Sequence, residues 1–360
     1  MQHIADTADA VTELAARLAT QTTIGLDTEF LRERTYRAQL CLLQLSAGAE
    51  ATCVDPIAVR SLSALAGPLT AVGVVKVMHA SRQDLEVLLP ALGLVRPVFD
   101  TQIAAALAGF AAQVGYAELV RRLLGIELPK AHTRTDWSRR PLSAEQIEYA
   151  LDDVRHLVPL KLSLEERLDK LGRSVWLAEE LVALADPRSL ATDPEEAWRR
   201  LKGLGSLDPD RERLARELAA WRERRAMERN RPRGWILDDA GLREVIARVP
   251  RSLAALEAIA EVPAGVVRHC GQELLACIAA AKVPDPPPAL ATRQRPDPLK
   301  SALARKLGAV NQAVARELGI SPEVLATRRD LERLAEGSQD IAALTGWRRD
   351  VVGEQLLAAI

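Results

Sequence analysis

Asp27 and Glu29 stand two residues apart in the stretch Thr23-Ile24-Gly25-Leu26-Asp27-Thr28-Glu29-Phe30. Read as a β-strand, this stretch turns Ile24, Leu26, Thr28 and Phe30 to one face and Gly25, Asp27 and Glu29 to the other. Two carboxylates sharing a face repel each other and resist losing water, and a hard divalent cation is the usual compensation. An edge strand with its polar face in water would use the same spacing. Asp84 follows the apolar run Gly73–His79 and lies three residues after Ser81. That position suits a capping-box acid at a helix start, and it is also where open α/β sheets place their sites. Tyr149 and Asp153, spaced i and i+4, share one face of a helix that Ser143 and Gln146 would open as a capping box. Ile147, Leu151, Val154 and Val158 form the opposing buried stripe, and Asp152 falls on the flank.

The elements that must position these groups follow from local pattern. A helix over 7–20 leads into a strand at 22–30, followed by strands at 38–46 and 51–55. A helix at 61–70, a buried strand at 73–79, a helix at 82–92 and a short strand at 97–100 come next. Helices then cover 101–110, 116–124 and 144 into the 170s. Neighbouring strands followed by strand–helix alternation predict a mixed α/β sheet covered by helices. Beyond about residue 190 the strand signals stop. Segments 195–282 and 297–360 read as all-helical, separated by a proline-rich linker over 283–296. Gln272-Glu273-Leu274-Leu275-Ala276 is echoed by Glu354-Gln355-Leu356-Leu357-Ala358, which predicts a repeated helical module. The expected division is 1–190, 195–282, the linker, and a shortened second module at 297–360.

Composition narrows the classes. Hydrophobic residues at 48% and charged residues at 27% describe a globular chain, and aromatics at 3% argue against a broad base-stacking platform. No apolar run is long enough for a membrane span, and Met1–Asp6 lacks a signal-peptide pattern. Cys41, Cys53, Cys270 and Cys277 have no metal or redox spacing and read as free thiols of a cytoplasmic protein. Residues 1–190 carry 20 basic and 24 acidic side chains, and residues 191–360 carry 28 and 25. An acidic front and a mildly basic rear suit a polyanionic substrate.

The order of Asp27-x-Glu29, Asp84 and Tyr149-x3-Asp153 resembles the DEDD exonuclease superfamily, tyrosine subtype. Asp27-Thr28-Glu29-Phe30 through Arg32-Glu33-Arg34-Thr35-Tyr36 to Gln39-Leu40, and Asp136-Trp137-Ser138-Arg139-Arg140-Pro141-Leu142, are similar to the ribonuclease D family. The helical tail resembles that family's helicase-and-RNase-D C-terminal (HRDC) modules. The likeness covers nearly the whole chain, and its final module is short at Ile360.

The resemblance implies an RNase H-like exonuclease domain and 3′→5′ hydrolysis of RNA ends, releasing nucleoside 5′-monophosphates during maturation of tRNA and other structured RNAs. It implies two divalent cations, Mg²⁺ or Mn²⁺, held by Asp27, Glu29, Asp84 and Asp153, with Tyr149 positioning the attacking water. Thr28, Phe30, His79, Lys130, Trp137 and Arg140 are the expected substrate contacts. Lys130, Arg134, Trp137 and Arg140 would serve equally as a solvated basic loop with Trp137 in the core, and His79 as a core-edge histidine. The arginine-rich run Arg222–Arg233 is expected to touch RNA backbone, or else to be a self-paired helix end. A monomer without an obligate protein partner is expected. A DNA 3′→5′ exonuclease and a non-catalytic RNA-binding protein are the competing readings.

Overall fold

Apolar residues alternate or run continuously through six short segments, and these pair into one sheet. The computed structural model describes residues 4–48, 50–129, 135–201, 207–285 and 297–360. The strands are β1 (Ile4–Ala5), β2 (Thr23–Leu31), β3 (Gln39–Ala47), β4 (Glu50–Val54), β5 (Val75–Met78) and β6 (Val98–Asp100), in the spatial order β1-β4-β3-β2-β5-β6. β3 and β4 are antiparallel, whereas β1 pairs parallel to β4, β2 to β5 and β5 to β6. The mixed sheet expected from the sequence is therefore present. The two-residue β1 was missed, since so short a strand carries no periodicity of its own.

The chain divides into two compact units. One comprises Met1–Leu31, Leu40–Leu190 and Pro296–Ile360; the other comprises Arg32–Gln39 and Ala191–Arg295. In the sheet unit, the helices are α1 (Ala8–Leu18), α2 (Pro56–Val59), α3 (Ser63–Thr70), α4 (Arg82–Leu92), α5 (Thr101–Leu107), α6 (Tyr116–Leu124), α7 (Ala144–Arg155), α8 (Leu157–Lys170), α9 (Ser174–Leu184) and α10 (Pro187–Leu190). The helical unit contains α11 (Pro209–Arg229), α12 (Arg233–Ile236), α13 (Asp239–Arg248), α14 (Leu253–Glu257) and α15 (Ala264–Ala280). The sheet unit is completed by α16 (Pro298–Leu318), α17 (Pro322–Leu325), α18 (Arg328–Ala335), α19 (Gly346–Arg348) and α20 (Glu354–Ala358).

The sequence set 297–360 apart as its own module, yet its buried face joins the sheet's core. Leu307, Val314, Leu331, Trp347 and Leu356 share a cluster with Val77, Phe99, Leu157 and Leu164. Trp347 stacks on Trp176 with ring centroids 4.5 Å apart, and its indole Nε1 donates to Glu180 at 2.8 Å. Arg173 spans the same seam, donating to the carbonyls of Leu107 at 2.7 Å and Leu318 at 2.5 Å. Lys76, on central β5, is fully buried. Its ammonium donates to the carbonyls of Ala71, Val74 and Arg96 at 3.0, 2.6 and 2.6 Å, which supplies the partners a buried charge requires. Among the described residues, no helix is long and apolar enough to cross a membrane.

Candidate active site

β2 has α7 and α8 against one of its faces because Gly25 leaves room for them. A Cβ at Gly25 would strike Ser46 Oγ, lie 3.0 Å from the carbonyl oxygen of Val154 and meet Leu157. Ser46 Oγ donates to that same Val154 carbonyl at 2.8 Å. Asp27 and Glu29 share Gly25's face by strand alternation, so they are turned towards the helix that carries Tyr149 and Asp153. The capping box at Ser143 and Gln146 forms as expected and fixes the start of α7. α7 stops at His156, however, and α8 begins at Leu157, where the sequence had suggested one uninterrupted helix.

Asp84 arrives from the other direction. Its carboxylate accepts a hydrogen bond from Thr28 Oγ1, on β2's opposite face. The capping-box reading of Asp84 fails: Ser81 makes no side-chain cap, and its hydroxyl donates to Asp100 instead, at 2.8 Å. Asp100 is buried and governs this turn. It also accepts from the amides of Ala80 at 3.2 Å, Ser81 at 2.8 Å, Gln102 at 2.8 Å and Ile103 at 3.3 Å. Ala80 is held in the left-handed region at φ 55°. Asp100 was read only as the end of a strand, and its spacing from Ala80 and Ser81 carries no local signal.

Electrostatics bring the acids together. Asp27 is held well above the ordinary carboxyl range by burial, then by the charges of Asp84, Asp153 and Glu29. Glu29 is pushed up to about 8 by burial and by Asp153 and Asp84. Burial raises Asp153 to about 7 against the hydrogen bond it receives from Tyr149, and raises Asp84 to about 6 against that from Thr28. Among the described residues, no lysine or arginine is ion-paired to any of the four. Asp152, as expected of a flank residue, pairs with Arg155 at 2.6 Å. Also among the described residues, no group of three or more His, Cys, Asp or Glu side chains is placed to hold an ion. The donor chemistry nevertheless fits one. Four crowded carboxyl groups without a neutralising side chain are what a hard divalent cation relieves.

Most of the expected substrate contacts have other employment. His79 bonds Thr101 Oγ1 through Nδ1 at 2.8 Å and the Val114 carbonyl through Nε2 at 3.0 Å, so both ring nitrogens are committed to packing. Thr28 is buried with its hydroxyl on Asp84. Trp137 is buried and stacks beside Tyr149, with centroids 6.1 Å apart. Arg140 clamps Asp55 through Nε at 2.6 Å and a terminal nitrogen at 2.7 Å, and donates to the carbonyls of Trp137, Arg139 and Cys41. Burial alone would raise Asp55, but Arg140 and the amides of Ala58 and Ile57 bring it below the usual range. These four side chains support the site's walls. Phe30 is half-buried on β2. Lys130 and Arg134 lie outside the described residues.

The architecture and its acids define a class, the 3′-5′ exonucleases, whose family pattern matches residues 2–169; the HRDC domain pattern matches residues 211–278. Ribonuclease D of Gluconacetobacter diazotrophicus is 42% identical over 98% of this chain and 91% of its own length. Ribonuclease D of Granulibacter bethesdensis is 40% identical over 96% and 89%. The crystal structure of Escherichia coli RNase D, described as an exoribonuclease involved in structured RNA processing, superposes with a TM-score of 0.86 at 30% identity, covering 100% of this chain and 98% of that one. The chain belongs to the ribonuclease D family, a divalent-metal-dependent one.

Proposed function

We propose that this protein is a 3′→5′ exoribonuclease that hydrolyses nucleotides from RNA ends at the site formed by Asp27, Glu29, Asp84, Tyr149 and Asp153. The observation that carries the reading is the shared perturbation of four carboxyls from three distant segments, on the sheet of a ribonuclease D family member. Asp27, Glu29, Asp84 and Asp153 would hold two divalent cations, Mg²⁺ or Mn²⁺, which when bound supply Lewis acidity towards the phosphate oxygens and the attacking water.

The protein's own groups do the rest. Thr28 steers the Asp84 carboxylate, and Asp100 fixes the turn from which Asp84 projects. Burial, with Asp153 and Glu29 next, raises Tyr149 above its usual value, so its phenol keeps its proton at neutral pH. Tyr149 is thus a hydrogen-bond donor that orients water or phosphate and is not the base. The Phe30 ring is suited to stack on the terminal base. The substrates are tRNA precursors and other structured RNAs with free 3′ ends, and the products are nucleoside 5′-monophosphates. We read the protein as a monomer with a catalytic region at 1–190, an HRDC module at 195–282, a linker at 283–296 and an HRDC-like module at 297–360. Its four free cysteines suit the reducing cytoplasm.

The test is a time course on 3′-labelled and 5′-labelled RNA and DNA, with EDTA and Asp153→Asn as controls. Loss from the RNA 3′ end, abolished by EDTA and lowered at least about 10³-fold by Asp153→Asn, is expected. Full activity in Asp153→Asn would overturn the site assignment, and faster loss from DNA would favour the DNA exonuclease.

A further inference from the structure

Of the six arginines in Arg222–Arg233, four are paired within the helical unit. Arg222 is buried on Asp239 at 2.8 Å, Arg224 reaches Glu195 at 2.5 Å, Arg225 reaches Glu273 at 3.3 Å, and Arg233 reaches Glu223 at 3.4 Å. The reading of the whole run as an RNA surface is corrected accordingly. Arg229 and Arg231 remain, both exposed and without an acidic partner among the described residues. Trp235 lies beside them and is 56% exposed, the one aromatic ring among the large exposed hydrophobics of the described residues. The Arg231 guanidinium sits 5.8 Å from its ring centroid.

A second piece of chain meets this patch. Residues 32–39 belong to the same unit, held by Tyr36, whose hydroxyl donates to buried Glu223 at 2.5 Å. The Arg37 amide donates to Asn230 Oδ1 at 3.0 Å. Asn230 caps α11 in the left-handed region at φ 46° and separates Arg229 from Arg231. This contact sets the exposed Arg37 at the turn that carries the two free arginines. Glu33, in the same segment, is the acid it adds, while Glu228 leans on Arg225 at 4.0 Å.

A solvent-facing indole is unfavourable unless something covers it, and unpaired guanidiniums around it select an anionic partner with a flat ring. An unpaired nucleotide offers both, a base for the ring and phosphates for the arginines. We propose that Arg37, Arg229, Arg231 and Trp235 form an auxiliary site for single-stranded RNA, with one base stacked on Trp235 and the flanking phosphates on the arginines. The choice of RNA as ligand rests on the exoribonuclease reading above. The site itself lies outside the acids and takes no part in hydrolysis.

The test uses the full chain in EDTA, so that binding is seen without cleavage. The probe is a short single-stranded RNA carrying 2-aminopurine, read by anisotropy and by base-stacking quenching. Trp235→Ala should weaken binding about tenfold or more and abolish the quenching, while Trp235→Phe keeps most of both. Arg231→Gln should flatten the slope of log affinity against log salt by about 0.7. Hydrolysis of a dinucleotide, which carries no further base for Trp235 and no flanking phosphates for the arginines, should be unchanged in Trp235→Ala. If the wild type binds RNA in this way but cleaves none, the exoribonuclease reading falls and the auxiliary site stands. If RNA is cleaved while Trp235→Ala binds it with unchanged affinity and quenching, the auxiliary site falls alone. A patch that captures a protein while RNA affinity is unmoved overturns it as well.

Discussion

Glu29 and Asp153, pushed up to about 8 and about 7, hold protons in the folded metal-free chain that the unfolded chain gives up near pH 4. Their stabilising contribution is complete below the unfolded carboxyl range and is lost as pH rises through 7 to 8. In EDTA, therefore, the thermal midpoint should fall between about pH 6 and 8.5, and added Mg²⁺ should remove most of the fall. A flat midpoint across that range would contradict the crowding of the acids. Tyr149→Phe keeps the ring beside Trp137 but loses the donor to Asp153, and should lower kcat about 10- to 100-fold with little change in KM. The acids were legible because alternation along one strand and i, i+4 spacing along one helix are local rules. The roles of Arg140 and His79 were not, because their partners at Asp55, Cys41, Thr101 and Val114 lie tens of residues away.

At the scale of elements, the site depends on how closely helices approach β2 and on one turn. Gly25→Ala should cost about 1–3 kcal/mol in urea unfolding, because the new methyl meets Ser46 Oγ and the Val154 carbonyl. Adding Ser46→Ala should recover part of that loss; a double variant no better than the single one would mean the Val154 backbone dominates. Asp100→Asn keeps the shape but turns one acceptor oxygen into a donor facing the amides of Ala80, Ser81, Gln102 and Ile103. It should weaken divalent-cation binding by titration calorimetry several-fold, at a stability cost of about 1–3 kcal/mol. Cation affinity equal to wild type would separate the turn from the site. Sequence pattern placed every one of these strands except β1 within a residue or two. It missed the break at His156 because helical periodicity runs through Leu151, Val154 and Val158 without interruption.

At the scale of the molecule, the C-terminal helices complete the sheet unit's core. Trp347→Ala removes the ring stacked on Trp176 and the donor to Glu180, and should cost about 3–5 kcal/mol. A chain ending before α16 should fail to unfold cooperatively, since Leu307, Val314 and Leu356 then leave Leu157, Leu164 and their neighbours open to water. A truncated chain melting like the full one would show that the shared core is unimportant. The sequence could not announce this sharing: an amphipathic helix declares that it has a partner, but not which one.

The order in which the chain is made has a consequence here. Pro296–Ile360 leaves the ribosome after the sheet and the helical unit, yet it closes a core that Val77 and Phe99 begin. The helical unit, finished by Arg295, can be whole before the sheet unit is. During synthesis Leu157, Leu164 and their neighbours must therefore wait, partly uncovered, for α16 to α20 to emerge, and a nascent chain stalled short of them would need a chaperone's shelter.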